Sequence, residues 1–276
     1  MGDVTDRLPR LPSPNPIRDW SGVLDLSESI DKHVRPQREQ LASGRPHERE
    51  FEIFARLEGL SGLFVDVGAN VGQSAISFRC VNRSMRVASF EPNPVLEPLL
   101  RYVRDHLLEG FEYQMIGVSD VEAVLPLYIP VVDNAYVTPL ASMQRDIFER
   151  KEDRERLLRF SLHGGYEVRE VPIRLKRLDS LGLEPTVVKV DAEEHELRCL
   201  AGMVETLKKF WPLCMFESNS RNGEIIAAFA ALGYRPFAYD PERKRLVPYP
   251  APPIEPCNIF YVPAAPGRFR RRGLFD

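Results

Sequence analysis

The segment 62–72 (GLFVDVGANVG) constrains this chain more than any other stretch of it. Its apolar first half, Gly62 to Val67, reads as a strand buried on both faces. Gly68 and Gly72 then let the backbone turn sharply, and apolar residues at 71, 75, 76 and 78 fit a helix. A strand that turns directly into a helix opens a crossover unit, and the chain repeats the alternation. Residues 86–90 are predicted as a strand, 94–108 as a helix entered through proline, and 111–118 as a third strand. Strands follow at 186–190 and 213–216, the first leading into a helix with Leu197, Leu200, Ala201, Val204 and Leu207 on one face. A helix at 225–232 stops at Gly233, and 234–239 and 258–262 are the last strands. Right-handed crossovers then give an α/β fold: a mostly parallel sheet with helices on both faces. The last two strands have no helix between them, so an antiparallel hairpin at one sheet edge is expected.

The flanks read differently. Pro9, Pro12, Pro14 and Pro16 crowd the start, so 1–50 is expected as an arm with a helical extension, and helices could form over 30–56. The main domain is placed at 51–265, and 266–276, with Arg268-Phe-Arg-Arg-Arg272, is read as a solvated basic tail. Residues 144–160 carry acidic and basic groups at helical spacing; they are either a solvated helix face or part of an insertion, 130–170, over the site.

Bulk properties narrow the partners. A net charge of −3 gives no sign of nucleic acid or of an anionic membrane surface. No apolar run approaches the roughly 20 residues of a membrane span, and the start lacks the apolar stretch of a signal peptide. The four cysteines form no CxxC pair, so neither a disulfide framework nor a zinc cluster is expected and a cytoplasmic location fits.

In open parallel sheets ligands bind at the carboxyl ends of the strands. Asp66, Gly68, Asn70 and Gly72 lie at the end of the first strand. Glu91 ends the second, where a carboxylate can accept both hydroxyls of a ribose. A dinucleotide fingerprint beginning at Gly68 needs glycine at 70 and 73, where this chain has Asn70 and Gln73. Asp66 adds negative charge, which suits a cationic sulfonium better than a pyrophosphate. The loop therefore reads as a site for S-adenosylmethionine, with an NAD-dependent oxidoreductase as the disfavoured alternative. Ser119 and Asp120 follow the third strand, where adenine contacts would fall, although a local turn explains them equally well.

Asp191 ends the strand 186–190. It could bind an acceptor hydroxyl, act as the general base (Glu193 or His195 being the alternatives), or hold a divalent metal, for which Glu217 is a further candidate. Asp191-x-x-Glu194 is also a capping-box pattern that would start the next helix.

Taken in order, Asp66–Gly72, Phe90-Glu91-Pro92-Asn93-Pro94, Gly117-Val-Ser-Asp120, Arg177-Leu-Asp-Ser-Leu181 and Val188-Lys-Val-Asp191-Ala-Glu193 resemble the FkbM family of methyltransferases. The resemblance continues through Leu232-Gly-Tyr-Arg and Asn258-Ile-Phe-Tyr-Val. It implies a Rossmann-like class I fold with a seven-stranded sheet and a reversed last strand. It further implies S-adenosylmethionine-dependent O-methylation of a small molecule or glycan. One departure stands out: the family pattern has glycine where this chain has Glu194. A non-catalytic adaptor that keeps the fold is the alternative this change raises.

Overall fold

The computed structural model describes residues 26–275 except 163, 253 and 266, and side chains from residue 34 onward. The proline-rich start thus lies outside the described residues. The chain divides into a larger unit, 32–125 with 173–276, and a smaller one that includes 126–172.

In chain order, α1 (Leu26–Ser43) leads to a 3-10 segment, Arg49–Leu57. Then come β1 (Leu63–Val67), α2 (Gln73–Val81), β2 (Arg86–Phe90), α3 (Glu97–Tyr102), β3 (Phe111–Gln114) and β4 (Gly117–Val118). β5 (Ala123–Val132), β6 (Ala135–Tyr136), α4 (Lys151–Phe160) and β7 (Glu167–Lys176) follow. The chain continues with β8 (Val187–Val190), α5 (Glu196–Ala201), α6 (Val204–Phe210), β9 (Leu213–Glu217) and α7 (Asn222–Ala231). It closes with β10 (Tyr234–Asp240), β11 (Arg245–Pro248), β12 (Asn258–Pro263) and α8 (Gly267–Arg270).

The main sheet has eight strands in the order β11-β10-β12-β9-β8-β1-β2-β3. β9, β8, β1, β2 and β3 run parallel, as strand–helix alternation requires. Helices cover both faces. Phe54 and Phe78 pack on Phe64 of β1 on one side, and Phe229 of α7 stacks on Tyr261 and meets Phe216 on the other.

The expectation of seven strands is corrected to eight, and two strands rather than one run against the parallel set, β12 inside the sheet and β11 at its edge. β12 runs antiparallel between β9 and β10, and the edge hairpin is β10 with β11. β11 is short and ends on a proline, so it left little trace in the sequence. The single strand expected at 111–118 is two: β3 stays in the main sheet, and β4 leaves it to pair with the end of β7. The helix expected after β8 is also split, because Gly202 sits against the Ser119 carbonyl and ends α5.

The C-terminal stretch was expected as a solvated tail. Instead Phe269, Leu274 and Phe275 are buried in the main core. Arg268 donates to the carbonyls of Phe210 and Trp211 at 2.9 and 2.8 Å, capping α6. Burial of its apolar half holds the segment despite its arginines.

In the smaller unit, β5 and β6 form a hairpin with Val131 opposite Tyr136. Val132, Phe148 and Leu157 make a small core there, and Tyr166 Oη–H donates to the Phe148 carbonyl at 2.7 Å. The charged helix α4 keeps only Leu157 buried, as its spacing of charges suggests.

Candidate active site

The loop after β1 has the strained backbone its glycines foretell, with Gly68 at φ 84°, Asn70 at φ 49° and Gly72 at φ 84°. Gly68 and Ala69 N–H both donate to the Phe90 carbonyl, at 2.9 and 3.1 Å, which ties the loop to the end of β2. Glu91 then reaches back. Its Oε2 accepts the Asn70 N–H at 2.8 Å and its Oε1 accepts the Asn93 N–H at 2.8 Å. Burial pushes this carboxyl up to about 7 against the pull of those two donors. Nearby, the amide oxygens of Gln73 and Gln114 are buried without a partner among the described residues.

Asp66 is fully buried, and its placement is less exposed to a ligand than the sequence suggested. Sheet register sets it level with Ser89 on β2 and Lys189 on β8. Ser89 Oγ–H donates to its Oδ2 at 2.8 Å, while Oδ1 has no partner. Burial raises its carboxyl, opposed by Lys189 and Ser89.

A second group gathers where β8 and β9 end. Lys189 is fully buried and its Nζ donates to Asp191 Oδ2 at 2.9 Å. Burial opposes that ammonium, yet Asp191, Asp66 and Glu48 together hold its pKa above the usual lysine value. Glu217 stands beside Asp191, one step past the Val190–Phe216 register pair, and burial together with the Asp191 and Glu193 charges pushes it up to about 8. Asp191, Glu193 and Glu217, all singled out in the sequence, are therefore brought together.

The turn that follows differs from the capping box expected there. His195 N–H closes it on the Ala192 carbonyl at 3.1 Å, with Glu193 at φ 48° and Glu194 at φ 71°. α5 starts only at Glu196, whose Oε1 accepts the Ala192 N–H at 2.9 Å and whose Oε2 accepts Asn219 Nδ2–H at 2.7 Å. Glu194 thus stands in the backbone conformation that glycine, the residue of the family pattern, adopts freely.

His195 faces the other way. Its Nε2 lies 3.0 Å from Ser119 Oγ, which itself donates to Asp120 Oδ1 at 3.0 Å. With the Ser119 proton used on Asp120, His195 must supply the proton from Nε2. Burial and Arg198 lower its pKa, so the ring is neutral around pH 7. Burial opposes it, but Ser119 and Arg198 hold Asp120 below the usual carboxylate range. Ser119, Asp120 and His195 form one cluster, separate in its hydrogen bonds from Asp191.

Four residues of this region escaped the sequence reading: His47, Glu48, Lys189 and Glu196. Glu48 Oε2 accepts Asn258 Nδ2–H at 2.9 Å, and His47 N–H donates to Ser77 Oγ at 3.0 Å. Burial and Lys189 push His47 down to about 4. The Lys189-x-Asp191 spacing was in view, since i and i+2 share a face of a strand. His47 and Glu48 had no local signal, because the elements that meet them lie elsewhere in the chain.

A divalent metal does not fit the carboxylates at 191 and 217. Asp191 is ion-paired with a buried ammonium, the Glu217 carboxyl is raised by burial, and no group of three or more His, Cys, Asp or Glu suited to a metal occurs among the described residues. No helix among the described residues is long and apolar enough to cross a membrane.

No curated protein matches the chain. Solved structures with a similar course include methyltransferase FkbM from Methylobacillus flagellatus, at 14% identity and a TM-score of 0.43, covering 86% of this chain and 60% of that one. A TehB-like SAM-dependent methyltransferase from Corynebacterium glutamicum has 9% identity and a TM-score of 0.39, covering 85% and 96%. The MycE methyltransferase of the mycinamycin biosynthetic pathway, solved with Mg and SAH, has 10% identity and a TM-score of 0.33, covering 85% and 48%. The chain thus spans about 60% of the Methylobacillus protein's length. The family described as the methyltransferase FkbM domain matches residues 66–236, more than half of the chain, and the protein belongs to that family.

Proposed function

We infer that the protein transfers the methyl group of S-adenosylmethionine to a hydroxyl of a small molecule or glycan. The observation that carries this is the Glu91 carboxylate, fixed by the Asn70 and Asn93 N–H groups at the carboxyl end of β2. Each of its oxygens keeps a lone pair for a ribose hydroxyl. The residues present fit the cofactor: Asn70 and Gly72 shape the loop, and the buried Gln73 and Gln114 amide oxygens are acceptors in want of donors. Ser119 and Asp120 are assigned to the adenine side of the nucleoside.

The cofactor supplies an electrophilic methyl carbon. The protein's own task is alignment, which can contribute about 7–11 kcal/mol to the barrier, together with removal of the acceptor proton. Asp191 is the base in this reading, with Glu193 beside it on the turn. His195 donates from Nε2 to Ser119 and so serves the cofactor side.

Calorimetry with S-adenosylhomocysteine tests the cofactor, and transfer from S-adenosylmethionine labelled on the methyl group, incubated with cell extract, tests the reaction. Absence of S-adenosylhomocysteine binding would refute the reading. Binding without transfer to any extract component would favour the adaptor that Glu194 first suggested.

A further inference from the structure

Two ionised carboxylates offer only acceptors to each other, so a hydrogen bond between carboxyl groups requires a proton. Asp191 and Glu217 stand close enough for the Asp191 charge to hold a proton on Glu217. Sheet register makes them neighbours: Val190 is level with Phe216 on parallel β8 and β9, and each carboxyl is carried by the next residue. Carboxyls that interact this strongly behave as one titrating unit.

The surroundings of the two are unequal. Lys189, fully buried, donates from Nζ to Asp191 Oδ2 at 2.9 Å. Asp66 from β1 and Glu48 from the segment before β1 act on the same ammonium. Glu217 has the opposite company. The charged groups acting most strongly on it are acidic: Asp191 of β8, Glu193 of the turn and Glu196 of α5. From β12, Asn258 stands level with Glu217, but its amide N–H is committed to Glu48 Oε2 at 2.9 Å. The Cys257 thiol, raised by burial, is neutral and brings no positive charge.

We propose that Asp191 and Glu217 work as one acid–base pair in methyl transfer, with Lys189 the positioning residue that keeps the carboxylate on Asp191 and the shared proton on Glu217. This rests on the methyl-transfer reading above. In the step, a lone pair of the acceptor oxygen forms the bond to the methyl carbon as the carbon–sulfur bond breaks. That bond's electrons go to sulfur, which leaves as a neutral thioether. The acceptor's O–H proton passes to Asp191. The pair then holds two protons and returns one to water, which restores the starting state and releases one proton per turnover. Separating two titratable groups by their environments is the general way in which a site assigns acid and base roles.

The test is a carbon-13 NMR titration of Asp and Glu side-chain carboxyls on the full chain, with S-adenosylhomocysteine calorimetry alongside. The expected result is a glutamate carboxyl that titrates above Glu91, near 8, and whose signal disappears in Glu217→Gln. In Asp191→Asn its midpoint falls by about one unit or more, because the neighbouring negative charge is gone. In Lys189→Met the shared proton leaves Glu217 for Asp191; should that variant not fold, the other two decide. A wild-type Glu217 that titrates in the ordinary carboxylate range, or one unmoved in Asp191→Asn, overturns the pair. A folded Lys189→Met chain with the proton still on Glu217 removes Lys189 from its role. Failure of the wild-type chain to bind S-adenosylhomocysteine overturns the methyl-transfer reading instead, whatever the carboxyls do.

Discussion

The carbonyl oxygen of Asp191 lies 1.7 Å from the place where a Cβ on Gly68 would stand. The loop after β1 and the end of β8 are therefore in backbone contact, and the glycine is demanded by that contact as much as by any ligand. Gly68→Ala must displace backbone and also holds alanine at φ 84°. It is expected to lower the unfolding free energy by about 2 kcal/mol or more. Because Asp191 moves with the loop, loss of S-adenosylhomocysteine affinity and displacement of the Asp191 carboxyl signal should appear together in calorimetry and NMR.

Glu91→Ala removes the proposed ribose clamp and leaves the Asn70 and Asn93 N–H groups without their carboxylate. S-adenosylhomocysteine affinity should fall roughly 10- to 100-fold. In the wild type the carboxyl is raised to about 7, so the ionised acceptor form grows as pH rises from 6 to 8. Affinity should tighten over that interval, and the dependence should vanish in Glu91→Gln. A flat profile in the wild type would count against the clamp.

Glu194→Gly should stabilise the protein. Glu194 holds φ 71°, a conformation that costs a side-chain-bearing residue on the order of 1 kcal/mol, partly offset by the greater chain entropy of glycine when unfolded. A net gain of up to about 1 kcal/mol is expected in chemical denaturation. Unchanged stability would show that contacts of Glu194, such as its attraction for Arg221, compensate for the strain.

Glu217 has a defined signature in the pH dependence of stability. Its folded value is raised, from 4.5 to about 8, mainly by burial and the Asp191 charge. The stability it contributes is complete below about 4.5 and is lost as pH rises through about 8. Glu217→Gln should therefore gain on the wild type steadily between pH 5 and pH 8 and no further above. Denaturation curves at pH 5, 7 and 9 measure it.

Phe269→Ala should cost about 3–5 kcal/mol, since Phe269 is fully buried in the main core. A loss under about 1 kcal/mol, read by urea denaturation, would mean that the C-terminal stretch is not docked as described.

Some of this was plain in the sequence. Residues 86–90 form the strand their pattern demands, and the glycines of the loop adopt positive φ as expected, because both depend on neighbours in the chain. Glu91 was legible for the same reason: it ends a strand. What failed depends on distant partners. Nothing local in Val187-Val-Lys-Val190 shows that Lys189 is buried, because two of the three carboxylates that act on it come from positions 48 and 66. The break at Gly202 was hidden too, since it is set by the Ser119 carbonyl. The second sheet went unseen because β5 carries Pro126 and Pro130, which argue against a ladder, even though β7 alternates Val171, Ile173 and Leu175 as a half-buried strand does.

The segment before β1 sets a practical limit on dissecting this protein. Phe51, Ile53, Phe54 and Leu57 are at most 1% exposed, and Glu48, Glu50 and Glu52 are hydrogen-bonded to Asn258, Cys257 N–H and Tyr239 respectively. A polypeptide begun at residue 66, where the family match starts, would present a bare greasy sheet face to water and leave those polar groups unanswered. The stretch by which the chain is recognised is shorter than the stretch that can stand alone.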